Sequence, residues 1–154
     1  MTLTDPMRDL LAAQRRVILA THDPDGTIHA APLAYLFDGG RFLMATPAGS
    51  RKVRNLVARP EVTVLVEDAE NTAWVSATGT AEVVGGAAGD ALMRRVYALW
   101  LTAEGIDVIG SWMGDDVVVA VTPRRWRGWD IEPGLFAPLR ADGVPVDDTT
   151  RWFR

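Results

Sequence analysis

The sequence predicts a mainly β, α+β domain in which six strands joined by hairpin connections close into a small antiparallel barrel with three peripheral helices. Three observations predict it. Short runs rich in Val, Thr and aromatic residues recur with an alternating pattern, as in Glu61 to Asp68 (EVTVLVED) and Thr72 to Val84 (TAWVSATGTAEVV). Turn signals such as Asp23-Pro24-Asp25-Gly26 and Asp38-Gly39-Gly40 separate neighbouring runs. Helical patterns are too few to supply the crossover that each successive pair of parallel strands needs.

Asp5-Pro6 reads as an N-cap followed by proline at the first helical position, and Met7, Leu10, Leu11 and Gln14 give a short helix within residues 1–15. Arg16 to His22 and Thr27 to Phe37 form two strands around a four-residue hairpin loop, Asp23 to Gly26. Pro32 inside the second demands an edge, a bulge or a missing ladder donor. A third strand, Arg41 to Thr46, leads through Pro47-Ala48-Gly49 into a helix from Ser50 to about Ala58, ended by Arg59-Pro60. In that helix Val53, Leu56 and Val57 supply the buried face, and Arg51, Arg54 and Asn55 point the other way. The fourth and fifth strands are Glu61 to Asp68 and Thr72 to Val84, with Gly79 as a bulge or kink. A helix over Asp90 to Ala103, with Leu92, Val96, Leu99 and Trp100 as core stripe and Gly105 as its stop, precedes a last strand from Val117 to Asp130 bent at Pro123. Residues 132–154 form a C-terminal arm of a single domain spanning 1–154.

Composition narrows the function. The chain has 154 residues, 48% hydrophobic and 23% charged, in the ordinary globular range. A sequence pI near 5.1 argues against nucleic acid or an anionic membrane as main partner, since phosphate backbones need a broad basic surface. The absence of cysteine removes disulfides, thiol nucleophiles and thiolate metal sites, so redox chemistry has to come from a cofactor. No leader-like apolar segment opens the chain and no window approaches ~18 uninterrupted apolar residues, so the expected location is the cytoplasm.

Within this acidic chain, Gly39 to Pro60 contains five basic residues (Arg41, Arg51, Lys52, Arg54, Arg59) and no Asp or Glu. Arg51 and Lys52, the only lysine, fall at a helix start, where the partial positive charge of unpaired N–H groups disfavours cations by about 0.3–1 kcal/mol each. A bound anion accounts for that placement: a phosphate can accept from the first-turn N–H groups and from Ser50 while Arg51 and Lys52 neutralise it. A solvated basic helix face is the competing reading.

The other signals are weaker. With a four-residue loop, His22 and His29 share one face a diagonal step apart, but two imidazoles without a third ligand make a poor metal site, and no metal is expected. Trp126 and Trp129 fall on opposite strand faces by period-two counting, one for the core and one for an interface. Asp115-Asp116 and Asp147-Asp148 read as solvated turns. Ser76 and Ser111 stand in no nucleophile context, so hydrolase chemistry has no support.

An ordered set of segments resembles the pyridoxamine 5′-phosphate oxidase-like split β-barrel flavoproteins, including the branch that uses the deazaflavin coenzyme F-420. The segments are Leu19-Ala20-Thr21, Asp25-Gly26, His29 to Pro32, Phe42, Ala45-Thr46, Gly49-Ser50-Arg51-Lys52, Asn55-Leu56, Arg59-Pro60, Gly79-Thr80-Ala81, Pro123 and Trp129-Asp130. The resemblance implies a split barrel, a homodimer with cofactor at the subunit interface, and a phosphate held by Ser50, Arg51 and Lys52, with Arg54 assisting or meeting a polyanionic tail. It further implies that Pro32, Leu33, Ala34 and Tyr35, with Ala45 and Thr46, lie along an FMN or deazaflavin ring, and that Trp74 or Trp129 closes the site from the partner. The strand His29-Ala30-Ala31-Pro32-Leu33 lacks the Arg and Lys of true pyridoxamine-phosphate oxidases, and no C-terminal basic substrate motif is present, so pyridoxamine phosphate is not the expected substrate. The expected activity is hydride transfer between the cofactor and a small organic substrate. The alternative is a flavin- or haem-binding sensor, carrier or stress protein on the same barrel; haem needs only one axial histidine.

Overall fold

The structure, a computed structural model, describes residues 2–69, 73–112, 114–129 and 142–143. Helix α1 (Asp5–Ala13) is capped one residue earlier than expected: Met7 N donates to Thr4 Oγ1, which leaves Asp5 in the first turn, where its charge favours the helix dipole. Strands β1 (Arg16–His22) and β2 (Ile28–Ala34) form a hairpin, and β3 (Leu36–Asp38) pairs with β4 (Arg41–Pro47) through Gly39 and Gly40, both at positive φ. Helix α2 (Arg51–Ala58) follows, then β5 (Glu61–Glu67), β6 (Trp74–Val84), α3 (Gly86–Tyr97), α4 (Ala103–Trp112) and β7 (Asp116–Trp129). The seven strands make one antiparallel sheet in the order β2-β1-β5-β6-β7-β4-β3, curled into a half-barrel with four helices.

The seventh strand comes from a division. Residues 27–37 were expected to be one strand, but Tyr35 leaves the ladder with β1, its N–H bonding the Arg15 carbonyl at 3.1 Å, and the chain continues as β3 at the opposite sheet edge. This single residue carries the chain between the two free edges, which is how the sheet curls. Pro32 sits on β2, paired with Ile18 of β1 and with no strand beyond it, so its missing donor costs no ladder bond.

Two hydrophobic clusters organise the interior. The larger joins Val17, Leu19, Phe42, Val64, Val121 and Trp126 to Met7 and Leu11 of α1 and Val53 and Leu56 of α2. The smaller places Leu43, Val118 and Ala120 under Val96 of α3. Because α3 covers the second face of β4 and β7 there, those strands are buried continuously rather than in alternation. Gly79 marks the expected bulge: the β6–β7 register shifts between Thr78 and Gly79, and a Cβ on Gly79 would lie 2.2 Å from the Thr122 carbonyl oxygen.

Several expectations are corrected. The hairpin loop is longer by one residue: Asp23 N bonds the Thr27 carbonyl at 2.9 Å, a turn closes from Gly26 N to the Asp23 carbonyl at 3.0 Å, and Gly26 takes φ 86°. Thr21 therefore opposes His29 and His22 opposes Ile28, which puts the two histidines on opposite faces. The helix expected over 90–103 is α3, which starts earlier and ends at Tyr97; a further helix, α4, contains Gly105, and Trp100 lies between the two, 47% exposed rather than in the core. In α2, Asn55 is 4% exposed and Val57 75% exposed, the reverse of the expected faces. The C-terminal arm, with Asp147, Asp148, Trp152 and Phe153, lies outside the described residues except for 142–143. No described helix is long and apolar enough to cross a membrane.

Candidate functional site

The start of α2 gathers most of the residues singled out for an anion. Ser50 is its N-cap residue in extended conformation (φ −70°, ψ 155°), yet its side chain makes no capping bond, and the first turn contains no acidic residue. The Ser50 hydroxyl oxygen is buried without a hydrogen-bond partner among the described residues. First-turn N–H groups without a side-chain cap, an unpartnered hydroxyl and local positive charge have the chemistry of an anion seat.

The three cations of this turn have different surroundings. Lys52 Nζ donates to Thr46 Oγ1 at 3.0 Å, at the C-terminal end of β4, so among the described residues its charge meets a neutral hydroxyl. Arg54 donates to the Gly49 carbonyl and ties down the loop that enters the helix. Arg51 makes a bidentate pair with Asp23, Nε to Oδ1 at 2.8 Å and Nη2 to Oδ2 at 2.6 Å.

Asp23 was read from the sequence only as a turn residue. Its carboxylate also accepts from Asn55 Nδ2 at 2.9 Å and from Thr27 Oγ1 at 3.3 Å, and Asn55 reaches Thr21 Oγ1 at 3.0 Å. The hydrogen bond from Arg51, then that from Asn55, hold the Asp23 carboxyl down at about 2, against a smaller opposing effect of desolvation. The sequence did contain a trace of this network: Arg51 and Asn55 are spaced i, i+4 and so share a helix face. Nothing in the sequence names Asp23 as their partner, because that contact joins residues 28 and 32 positions apart.

Of the remaining candidates, Thr46 reaches this corner through Lys52, and the others lie elsewhere in one chain. Tyr35 is fully buried against Phe42, its hydroxyl donating to the Leu11 carbonyl at 2.7 Å, and burial pushes its pKa up. Within one chain it is a core residue. Ala45 and Thr46 point to opposite faces of β4, Thr46 being buried and Ala45 packing on the α3 side. Leu33 packs against the main core, whereas Pro32 lines a cleft of about 460 Å³ on the outer sheet face with Ile18, Leu65 and Glu67. Trp74 and Trp129 are direct cross-strand partners on that same outer face, Trp129 being 52% exposed. Trp126, on the other face, packs with Phe37 and Phe42 in the core. Among the described residues no three His, Asp or Glu side chains cluster as a metal site.

No curated protein matches this chain. Among solved structures, the conserved hypothetical protein Rv2991 from Mycobacterium tuberculosis is similar at 28% identity and a TM-score of 0.74, over 86% of this chain and 88% of that one. An F420 reductase is similar at 26% identity and a TM-score of 0.64, over 78% and 94% of the respective chains. General Stress Protein 26 from Bacillus anthracis str. Sterne shares the fold at 17% identity, with a TM-score of 0.67 over 84% and 95%. The family model of pyridoxamine 5′-phosphate oxidase matches residues 3–130, from the segment before α1 to the end of β7, and this chain belongs to that family.

Proposed function

We propose that this chain is an oxidoreductase that binds a flavin-type cofactor, FMN or coenzyme F-420, and uses it to transfer a hydride to or from a small organic substrate. The observation that carries the reading is the start of α2, where the first turn holds Lys52, N–H groups without a side-chain cap and the unpartnered Ser50 hydroxyl, and contains no acidic residue. Similarity to an F420 reductase at 26% identity supports a flavin-type cofactor, and either FMN or the deazaflavin brings the phosphate that this corner suits.

The bound ring supplies the hydride chemistry. The protein's part is positional. Lys52 and Ser50 hold the phosphate, the buried Thr46 fixes Lys52, and Arg54 fixes the Gly49 carbonyl so that the helix start keeps its shape. Pyridoxamine phosphate is not the proposed substrate, since His29-Ala30-Ala31-Pro32-Leu33 offers no cation along β2.

The reading includes a homodimer. Ile18, Pro32, Leu65, Trp74 and Trp129 share the outer face of the sheet by register, with Trp129 more than half exposed. A second copy against this face buries the tryptophan pair and brings Trp74 or Trp129 to a cofactor that one chain leaves uncovered.

The test is an equilibrium titration of apo-protein with FMN and with coenzyme F-420, followed by fluorescence. Saturable binding of one at micromolar concentration is expected; binding of neither removes the assignment. Turnover then requires that the bound, reduced cofactor be reoxidised by an organic acceptor.

A further inference from the structure

We propose that Asp23 is a positioning residue that withdraws Arg51 from the anion site, leaving Lys52 as the side-chain cation that holds the cofactor phosphate. This deepens the cofactor reading above and rests on it. Adjacent positions on a helix point about 100° apart, and Arg51 and Lys52 go to different partners on different elements. Lys52 turns to Thr46 at the end of β4. Arg51 turns to the β1–β2 hairpin loop, where two of its nitrogens are already engaged by one carboxylate.

The asymmetry of burial decides which partner controls the pair. The Asp23 side chain is 3% exposed and Arg51 56% exposed. Without Arg51 the buried carboxylate would keep only neutral donors among the described residues, Asn55 and Thr27. Arg51 leaving for a phosphate would strand that charge, whereas Lys52 leaving Thr46 would strand only a hydroxyl. The Asp23–Arg51 pair is neutral as a unit, so it contributes little field to a phosphate at the helix start; among the described residues Lys52 has no such counter-charge. Arg51 and Asp23 also line one cleft on the hairpin side of α2, together with Asp25, Arg54, Asn55 and Arg59, and neither Lys52 nor Thr46 lines it. The fork therefore clamps the first turn of α2 to the hairpin, and the spacing of the basic run conceals two separate functions.

The experiment compares FMN with riboflavin, which differ only by the phosphate, and coenzyme F-420 with its deazaflavin chromophore, which lacks the phosphate and the polyanionic tail beyond it; the first pair reads the phosphate alone. Each ligand is titrated into wild type, Lys52→Met, Arg51→Met and Asp23→Asn, and these proteins and the double variant Arg51→Met with Asp23→Asn are melted. Lys52→Met is expected to cut the preference for the phosphorylated ligand about tenfold or more with little change in melting temperature. Arg51→Met and Asp23→Asn are expected to lower the melting temperature, and the double variant to lower it little further than either alone. Arg51→Met is expected to keep the phosphate preference within about threefold of wild type. Collapse of that preference in Arg51→Met to the level of Lys52→Met overturns the proposal, and so do additive effects of Arg51→Met and Asp23→Asn on stability. If Arg51→Met does not fold, Arg51→Lys, which keeps the charge and loses the fork, gives the same two readings. If wild type binds none of the four ligands, the cofactor reading fails, and the clamp is decided by the melting cycle alone.

Discussion

Asp23 shows how one buried carboxylate can couple folding to pH. Its pKa is lowered to about 2 in the folded chain, first by the hydrogen bond from Arg51 and then by that from Asn55, against an ordinary value near 3.9. A carboxyl with a depressed folded pKa stabilises the fold fully above its unfolded pKa and loses that contribution as pH falls through the folded one. The expected outcome is a melting temperature that drops between about pH 4 and pH 2 in wild type, with a shallower slope in Asp23→Asn, measured by circular dichroism across that range. Tyr35 supplies a second test. Tyr35→Phe removes the hydroxyl that donates to the Leu11 carbonyl and should cost about 1–2 kcal/mol in urea unfolding. Because the hydroxyl is buried in the core, cofactor affinity should remain unchanged; a marked loss would return Tyr35 to the cofactor.

Helix α2 illustrates where hydrophobic periodicity misleads. Val57 is apolar and Asn55 polar, so pattern alone turns the helix to bury the valine. The Asp23 carboxylate and the Thr21 hydroxyl beneath the helix need a donor, and Asn55 meets both, so the polar residue goes inside and the valine to the surface. Asn55→Ala should therefore destabilise the protein by about 1–3 kcal/mol, while Val57→Ala should change stability by less than about 0.5 kcal/mol, both read from denaturant midpoints. The β6–β7 bulge obeys the opposite rule, because its cause is local and visible. Gly79 inside a strand pattern and Pro123 in the facing one both announce a ladder irregularity, and the structure pairs them. Gly79→Ala would drive a methyl into the Thr122 carbonyl and should cost about 2 kcal/mol or more, measured by the same unfolding assay.

Beyond the part of β7 and the end of β6 that α3 covers, the curled sheet leaves a face across β2, β1, β5 and the Trp74 and Trp129 ends of β6 and β7 with no described helix packed into a core cluster. The proposed dimer uses that face. Trp129→Glu should shift the protein toward monomer in sedimentation velocity and weaken cofactor binding in parallel, since a tryptophan at the centre of an interface commonly contributes about 2 kcal/mol or more. A dimer that persists unchanged, with cofactor affinity intact, would place the interface elsewhere.

Most of the strands, two of the helices, the ladder restriction at Pro32 and the irregularity at Gly79 were legible in the sequence, because each follows from side-chain alternation or from a backbone restriction within a few residues; that Pro32 meets its restriction at a sheet edge came from the structure. The basic run was legible too, as an unanswered charge at a helix start. Tertiary structure alone decided the hairpin register that separates His22 from His29, the break at Tyr35 that makes a seventh strand, the inward turn of Asn55 and the capture of Arg51 by Asp23. The physical reason is shared: each depends on which distant group a residue meets, and a one-residue shift in register or a 100° turn of a helix changes that partner while leaving the local pattern almost as favourable.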